Sequence, residues 1–524
     1  MIFFLDLFNY YQLCHYGRMH LSLIGDALTM IKYLISVLLI LITLTLRAEE
    51  ISSPPKIMNY NVYMLDHRLG IFVGGTNPNK RAQLLANSSV FDDTDVVVFN
   101  EVFDNQASQI LIDALAQKFG YLTPVLGRTK SGWDHTEGWR STSLDDGGVI
   151  IFSKYPIEYK SQVIFRDGCG ADWASQKGFI HTVINKGGER YNIIGTHVQA
   201  DDDTCSIPPS IIRQDQFAQI ENYVFGANRS ADEMFFIAGD LNVAKDSQEF
   251  YSMLETLNVS EPTNYAGAPY SWDPAVNGLA HANYPDLKGQ LLDYVLVERS
   301  HKQPKNWHNQ VLDIASKRVV LTGTQEPYYF YEYSDHFPVA AFEYADESTP
   351  VHSMRPTNKP YNSIRLKHRL NGEYIYADPN VSDGWLTYGR DGKQSNAKFK
   401  LDNWHPYIGT CVHDHDFVQF SRTDDYKNYY WTYSGSTYYT ENHDSSDFMK
   451  ISRQVESDSC IQNGDVVYIY DHAHHVWASA DKYLEPDNSY IKATNELPVS
   501  QNGLFIIEMD NFKFSDWESS LTYK

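Results

Sequence analysis

Oxygen and imidazole donors recur in this 524-residue chain at the points where apolar runs stop. Asn61 closes a run through Ile57-Met58, Asn100-Glu101 follows Val96 to Phe99, and His197 follows Ile193-Ile194-Gly195-Thr196. Asp240 and Asn242 stand in Gly239-Asp240-Leu241-Asn242, Asp293 precedes Tyr294-Val295-Leu296, and Asp335-His336 precede Val339. A lone Asn or Asp at a strand end is ordinarily a turn residue or a helix cap. Six such positions, none of them a cysteine, make a hard-donor set instead. Glu101 is its firm carboxylate, and such donors suit magnesium, which keeps its waters and reaches out to a phosphate. Phosphodiester hydrolysis asks for these parts: a cation to offset phosphoryl charge, a base for water and donors for the transition state.

The elements between these residues must bring them to one rim. From Lys56 to about Tyr344, short continuous apolar runs such as Val149 to Phe152, Phe179 to Val183 and Phe235 to Ala238 predict strands covered on both faces. Helical spacing appears around Arg81 to Asn87, Ser108 to Phe119 and Arg213 to Val224, where Phe217, Ile220 and Val224 share a face. Many strands with few helices predict two packed mixed sheets with helices outside. Strand ends in such a layered fold expose polar residues along one edge.

Length favours two domains and a leader. A hydrophobic content of 43% supports packed cores and argues against disorder. The formal net charge of -23 disfavours nucleic acid as a general partner. Tyr33 to Leu46 is a nearly unbroken apolar run after Met30-Ile31-Lys32, ending at Arg47-Ala48. That order is the pattern of a secretory signal over residues 30–48, and the run is short for a bilayer span. Residues 1–29 are unlike a leader, so translation is expected to start at Met30. Apart from Cys14 in that extension, four cysteines remain. The simplest pairing is Cys169 with Cys205 and Cys411 with Cys460, one bridge in each half, as suits a secreted protein.

Residues 346–360 lack periodicity and are expected to be a linker. Beyond it, residues 361–515 carry a weak repeat. Ile364-Arg365-Leu366, Phe417 to Phe420 and Val466-Val467-Tyr468 each open a unit with a second aromatic strand behind it. Three units of strand and turn predict an all-β domain, a β-trefoil. His413, His415, His472, His474 and His475 cluster there and are expected to be solvated loop histidines.

With its longer stretches, the catalytic half resembles a known family. Gly239-Asp240-Leu241-Asn242 with Ser334-Asp335-His336 resembles the exonuclease–endonuclease–phosphatase superfamily of pancreatic deoxyribonuclease-like fold. Met58 to Leu65, Val96 to Asn105, Arg166 to Trp173, Gly195 to Ala200 and Tyr270 to Pro274 are similar to bacterial neutral sphingomyelinases, so that the likeness covers nearly all of residues 56–345. The resemblance implies a four-layer α/β/β/α sandwich and a secreted phosphodiesterase that takes sphingomyelin to ceramide and phosphocholine with Mg2+, Mn2+ or Co2+ being possible substitutes. It implies Glu101, Asn61 and Asp335 at the central metal and His336 as the base on water, oriented by Asp293. Asp240 and Asn242 would face the phosphate, and His197 would polarise it or assist the leaving alkoxide. A second, edge metal would fall on Asn105, Asp145 and Asp146 with the Phe103 backbone, where Asp145-Asp146-Gly147-Gly148 equally suits an ordinary hairpin turn. The family also bridges the cysteines matching Cys169 and Cys205.

One departure concerns the membrane. Relatives that lyse cells carry exposed tryptophan on a hairpin, whereas the matching segment here, Arg318 to Phe330, has none. Tyr328, Tyr329 and Phe330 suit either a headgroup interface or a strand core. The expected partner is a sphingomyelin-containing membrane surface, with a glycan as a candidate ligand of the C-terminal domain and a monomer as the working form. A metal-dependent nuclease of the same fold and a non-catalytic adhesin are the competing functions. Charge counts against the first, and the intact set of Glu101, Asp240, Asn242, Asp293 and His336 against the second.

Overall fold

The computed structural model of the chain describes residues 31–39, 53–65, 75–316, 319–321 and 328–344. In the C-terminal third it describes residues 361, 363–377, 386–389, 397–403, 412–424, 427–434, 437–441, 449–455, 459–471, 474–480, 491–494 and 503–509. The expected extension 1–29, the linker 346–360 and Cys411 lie outside the described residues, as does most of the leader. Residues 31–39 are an exposed helix, and no helix among the described residues is long and apolar enough to cross a membrane.

Two seven-stranded sheets build the first domain. Ile57–Asn61 lies inside one of them, parallel to Val96–Asn100 and antiparallel to Val339–Phe342. In the other, Met234–Asp240 runs between Glu189–His197, parallel to it, and Asp293–Glu298, antiparallel. Alternate side chains of these strands enter different cores, which is why their apolar runs are unbroken. Ile57, Val96 and Val98 meet Ile193, Phe236 and Val295 between the sheets. Met58, Val97 and Phe99 point the other way, onto helices Pro78–Ala86 and Asn105–Phe119. Ile194, Phe235 and Ile237 likewise meet helices Pro209–Gly226 and Gln248–Thr256. The layers are therefore helix, sheet, sheet, helix.

The β domain does not form the expected trefoil. Its twelve strands from Ile364 to Met509 form one antiparallel sheet that curls into a nearly closed barrel. A trefoil repeats one local pairing scheme three times. Here the first strand, Ile364–His368, pairs with the last, Phe505–Met509, and Val466–Asp471 pairs with three different strands. The repeat seen in the sequence is the alternation that any half-buried antiparallel strand needs, so it could not fix the topology. Trp431 fills the barrel core, with its ring 4.6 Å from Phe420 and 5.4 Å from Phe399.

The Cys169–Cys205 disulfide is present and spans 36 residues. Cys460 is also disulfide-bonded. The first bridge fastens the turn Gly170–Ala174 near the loop after His197, where Cys169 N donates to Gln199 Oε1 at 2.8 Å. Closing a loop of that length is worth about 4 kcal/mol in the chain-entropy picture. The double variant Cys169→Ser/Cys205→Ser is accordingly expected to unfold at markedly lower urea than wild type. An unchanged midpoint would show that the bridge adds no stability.

Candidate active site

Strand pairing alone gathers the polar ends. Asn61 pairs with Asn100 in the first sheet, and His197 pairs with Asp240 in the second, so parallel neighbours stop together. Asp293 opens its antiparallel strand opposite Asp240. Asn59 pairs with Val339, which places the preceding Asp335-His336 at the end where Asn61 lies. Residues from positions 61 to 336 thus meet at one rim between the two sheets.

Asn61 joins the two central acids. Its Nδ2 donates to Glu101 Oε1 at 2.9 Å and to Asp240 Oδ2 at 3.0 Å. Glu101 has a left-handed backbone, φ 59°, which costs a side chain of its kind on the order of 1 kcal/mol. Its second oxygen, Oε2, is buried without a hydrogen-bond partner. Burial, reinforced by the nearby charge of Asp335, pushes the Glu101 carboxyl up to about 7. An orphaned carboxylate oxygen in an acidic cluster fits a cation better than any group of the chain. Atoms of Glu101, His197 and Asp240 lie within 4.8 Å of one another, and so do those of Asp240, Asp293 and His336. The donor set, rich in oxygen and without sulfur, suits a hard divalent ion.

The imidazole of His336 is held from one side. Its Nδ1 lies 2.8 Å from Asp293 Oδ2, while Asp293 Oδ1 accepts from Asn59 Nδ2 at 2.9 Å. The carboxylate fixes the proton on Nδ1, leaving Nε2 to face Asp240 Oδ2 at 3.8 Å. Burial alone would lower the His336 pKa, but Asp293, Asp240 and Asp335 outweigh it and raise it well above the usual value. Ser334 ties this segment down, its hydroxyl donating to Asn61 O at 2.7 Å. Asp335 Oδ1 lies 3.2 Å from the same hydroxyl and is buried beside Glu101 rather than within the three-residue ligand groups.

His197 has the opposite character. Burial, Lys177 and His336 together hold it well below the usual histidine value, so it is neutral. Lys177 Nζ lies 3.2 Å from His197 Nε2, and an ammonium can only donate, so Nε2 accepts and Nδ1 carries the proton. The same ammonium donates to Val198 O at 3.0 Å and pairs with Asp172 Oδ2 at 2.8 Å. Asn242, with φ 49°, caps the rim: its N donates to Asp240 Oδ1 and its Nδ2 to Val198 O.

Sequence reasoning missed Lys177, Asp172, Asn59 and Arg81. A buried cation at an acidic rim was the available signal, but single-sequence pattern cannot tell a buried lysine from an exposed one. Arg81 is fully buried on helix Pro78–Ala86, with burial lowering its pKa to about 10 against the pull of Asp335. Its guanidinium donates to Val62 O and Tyr63 O behind the first strand and to Tyr333 O before Ser334. Arg81→Met strands those carbonyls, and a loss of about 3 kcal/mol in urea unfolding is expected. A cost below about 1 kcal/mol would show that water replaces the guanidinium.

The edge-metal residues are only partly assembled. Asp146 is buried, but its Oδ2 pairs with Arg128 at 2.7 Å and its Oδ1 accepts from Gly148 N. Asp145 Oδ1 accepts from Asp146 N, and Gly148 packs against the Phe103 ring. Asn105 opens the helix capped by Asp104. This is turn chemistry with an ion pair already in place. Phe330, a candidate for membrane contact, is instead fully buried, packed with Tyr63, Leu279 and Leu321, because its strand folds back on Val319–Leu321. Tyr328 and Tyr329 belong to that strand, and their side chains lie outside the described residues. His413, expected in solvent, is buried and bonded to Tyr331.

Residues 58–336 match the endonuclease/exonuclease/phosphatase family. The chain is 37% identical over 482 residues to sphingomyelinase C 2 of Leptospira interrogans, an alignment covering 90% of this chain and 75% of the relative. It is 43% identical over 289 residues to a phospholipase C of Staphylococcus aureus, covering 55% of this chain and 86% of that protein. Among solved structures, a mutant Staphylococcus aureus beta toxin with bound magnesium ions is 42% identical, with TM-score 0.53 over 55% of this chain and 99% of the toxin. Sphingomyelinase C of Streptomyces griseocarneus is 39% identical, with TM-score 0.54 over 56% of this chain and 99% of that one.

Proposed function

The chain belongs to the endonuclease/exonuclease/phosphatase family, among its bacterial sphingomyelinases C, and on that premise we propose that it hydrolyses sphingomyelin to ceramide and phosphocholine. The observation that carries this reading is the His336–Asp293 pair opposite the Glu101–Asp240 acids at one buried rim. In its neutral form His336 takes a proton from water through Nε2, and Asp293 steadies the imidazolium that results. The water oxygen bonds to phosphorus as the bond from phosphorus to the ceramide oxygen breaks. The electron pair leaves on that oxygen, which takes a proton from solvent water, and the His336 imidazolium then returns its proton to solvent. Lys177 at His197 brings buried positive charge to the phosphoryl oxygens, where burial keeps it strong. Asn242 keeps one N–H beyond its bond to Val198 O and would donate it to a phosphoryl oxygen.

Glu101, with Asn61 and Asp335 beside it, would hold magnesium, and manganese or cobalt by the same chemistry, and the bound cation would offset phosphoryl charge. We place the catalytic unit at residues 56–345 and the β domain at 361–515, with the leader and the Cys169–Cys205 bridge supporting export. The substrate then sits in a sphingomyelin-containing membrane, and the formal charge of -23 disfavours nucleic acid. Phosphocholine release from sphingomyelin vesicles tests the proposal, run with magnesium and with chelator, beside phosphatidylcholine vesicles and DNA. Release from sphingomyelin that chelator abolishes is expected. No magnesium-dependent release, or preferential cutting of DNA, would overturn it.

A further inference from the structure

We infer that the C-terminal barrel is part of the catalytic apparatus, holding the His336 segment in place through Tyr331, a positioning residue; this rests on the proposed hydrolysis. Tyr331 lies five residues before His336 and is 3% exposed. Its hydroxyl donates to Asp416 Oδ2 at 2.7 Å and lies 2.7 Å from His413 Nδ1, both on the barrel. A hydroxyl has one proton. With Asp416 taking it, His413 Nδ1 must donate back, so each partner is satisfied and the joint has a single arrangement. The His413 ring also lies against the tyrosine ring, with centroids 5.2 Å apart.

Both ends of this joint are fixed. On the barrel side, His413 N donates to Asp416 Oδ2 at 2.8 Å, and Ile451 N donates to Asp416 O. On the catalytic side, Tyr331 N and Gly278 N both donate to Glu332 Oε2 at 3.0 Å. Arg81 then holds Tyr333 O, Asn277 holds Ser334 O, and Ser334 holds Asn61 O. The chain from joint to base therefore contains no loose residue. A mere tether between domains is wet and movable. This contact is buried, uses a charged acceptor and falls on the one segment that delivers the base. Catalytic geometry tolerates displacements of well under about 1 Å, so slack at Tyr331 reaches the reaction.

The test uses full-length protein and sphingomyelin vesicles with magnesium, far below the melting temperature of each variant. Tyr331→Phe is expected to lower kcat about tenfold while KM stays within about twofold. Asp416→Asn keeps an oxygen acceptor and is expected to lose less than Tyr331→Phe. His413→Ala in the Tyr331→Phe background is expected to add nothing further. Trp431→Phe, in the barrel core and not hydrogen-bonded to the joint, is expected to lower the Tm and leave kcat unchanged. Wild-type kcat in both Tyr331→Phe and Asp416→Asn would overturn the inference. So would an equal kcat loss in Trp431→Phe, which would trace the effect to stability alone. If Tyr331→Phe does not fold, the comparison of Asp416→Asn with Trp431→Phe decides the same question. An inactive wild type would overturn the proposed hydrolysis itself, whereas active wild type with normal joint variants would overturn only this inference.

Discussion

His336→Ala is expected to lower kcat for sphingomyelin hydrolysis by a factor on the order of 10³ to 10⁴, with magnesium binding retained. General-base catalysis by a placed imidazole is worth about 10² to 10⁴. The upper part of that range applies because His336 is held by Asp293 at 2.8 Å and is screened from water. Asp293→Asn keeps the imidazole but disturbs its tautomer and charge, so it should lose less than His336→Ala. The double variant should be no worse than His336→Ala, since the two residues act as a unit. Stopped-time phosphocholine release, with magnesium titration of each variant, measures all three. Wild-type turnover in His336→Ala would remove the base from the mechanism. Loss of magnesium binding in that variant would instead move His336 into the metal site.

Glu101→Gln is expected to weaken magnesium binding by at least about a hundredfold and to cut turnover on the order of a thousandfold. The buried, unpartnered Oε2 is the reason, because an amide supplies no charge to offset the cation. The same substitution carries a sign that separates this account from plain damage. In metal-free protein the Glu101 pKa is raised from 4.5 to about 7, so the folded state holds a proton that the unfolded chain releases. Stability from Glu101 is therefore full below the unfolded value of 4.5 and is lost as pH rises through about 7. In chelator at pH 8, Glu101→Gln should melt no lower than wild type. Magnesium should stabilise wild type more at pH 8 than at pH 6, because the metal displaces that proton. Glu101→Gln should show no magnesium shift at either pH. A full magnesium-induced shift in Glu101→Gln would place the ion elsewhere.

Much of the site was open to sequence reading because strand ends announce themselves. An apolar run that stops at Asn, Glu, His or Asp needs only the inference that neighbouring strands stop together. Pairing of Asn61 with Asn100, and of His197 with Asp240, does that. The helix Gln248–Thr256 is hard to read from sequence although Ser247 is its cap, accepting from Phe250 N at 3.1 Å, because nine residues give the periodicity little room. The trefoil failed for the opposite reason. Its signal was periodic but local, and alternation fixes which face of a strand is buried without fixing which strand lies beside it.

The sequence by itself determined the identity of the donors, the layered α/β scaffold and the hard-metal character of the rim. Those follow from residue type and from apolar patterning along the chain. Only the tertiary structure decided which groups are charged and which are orphaned. Glu101 keeps a proton and His197 loses one because of burial and the neighbours each meets, not because of their own chemistry. Folding likewise chose Lys177 as a buried cation, Arg81 as the clamp on both flanking loops, and Phe330 as core. The contact of Tyr331 with Asp416 is 85 residues long in sequence, and no local pattern encodes a partner at that distance. Burial and long-range pairing are properties of the assembled chain, so they set the electrostatics of the site only once the sheets have closed over it.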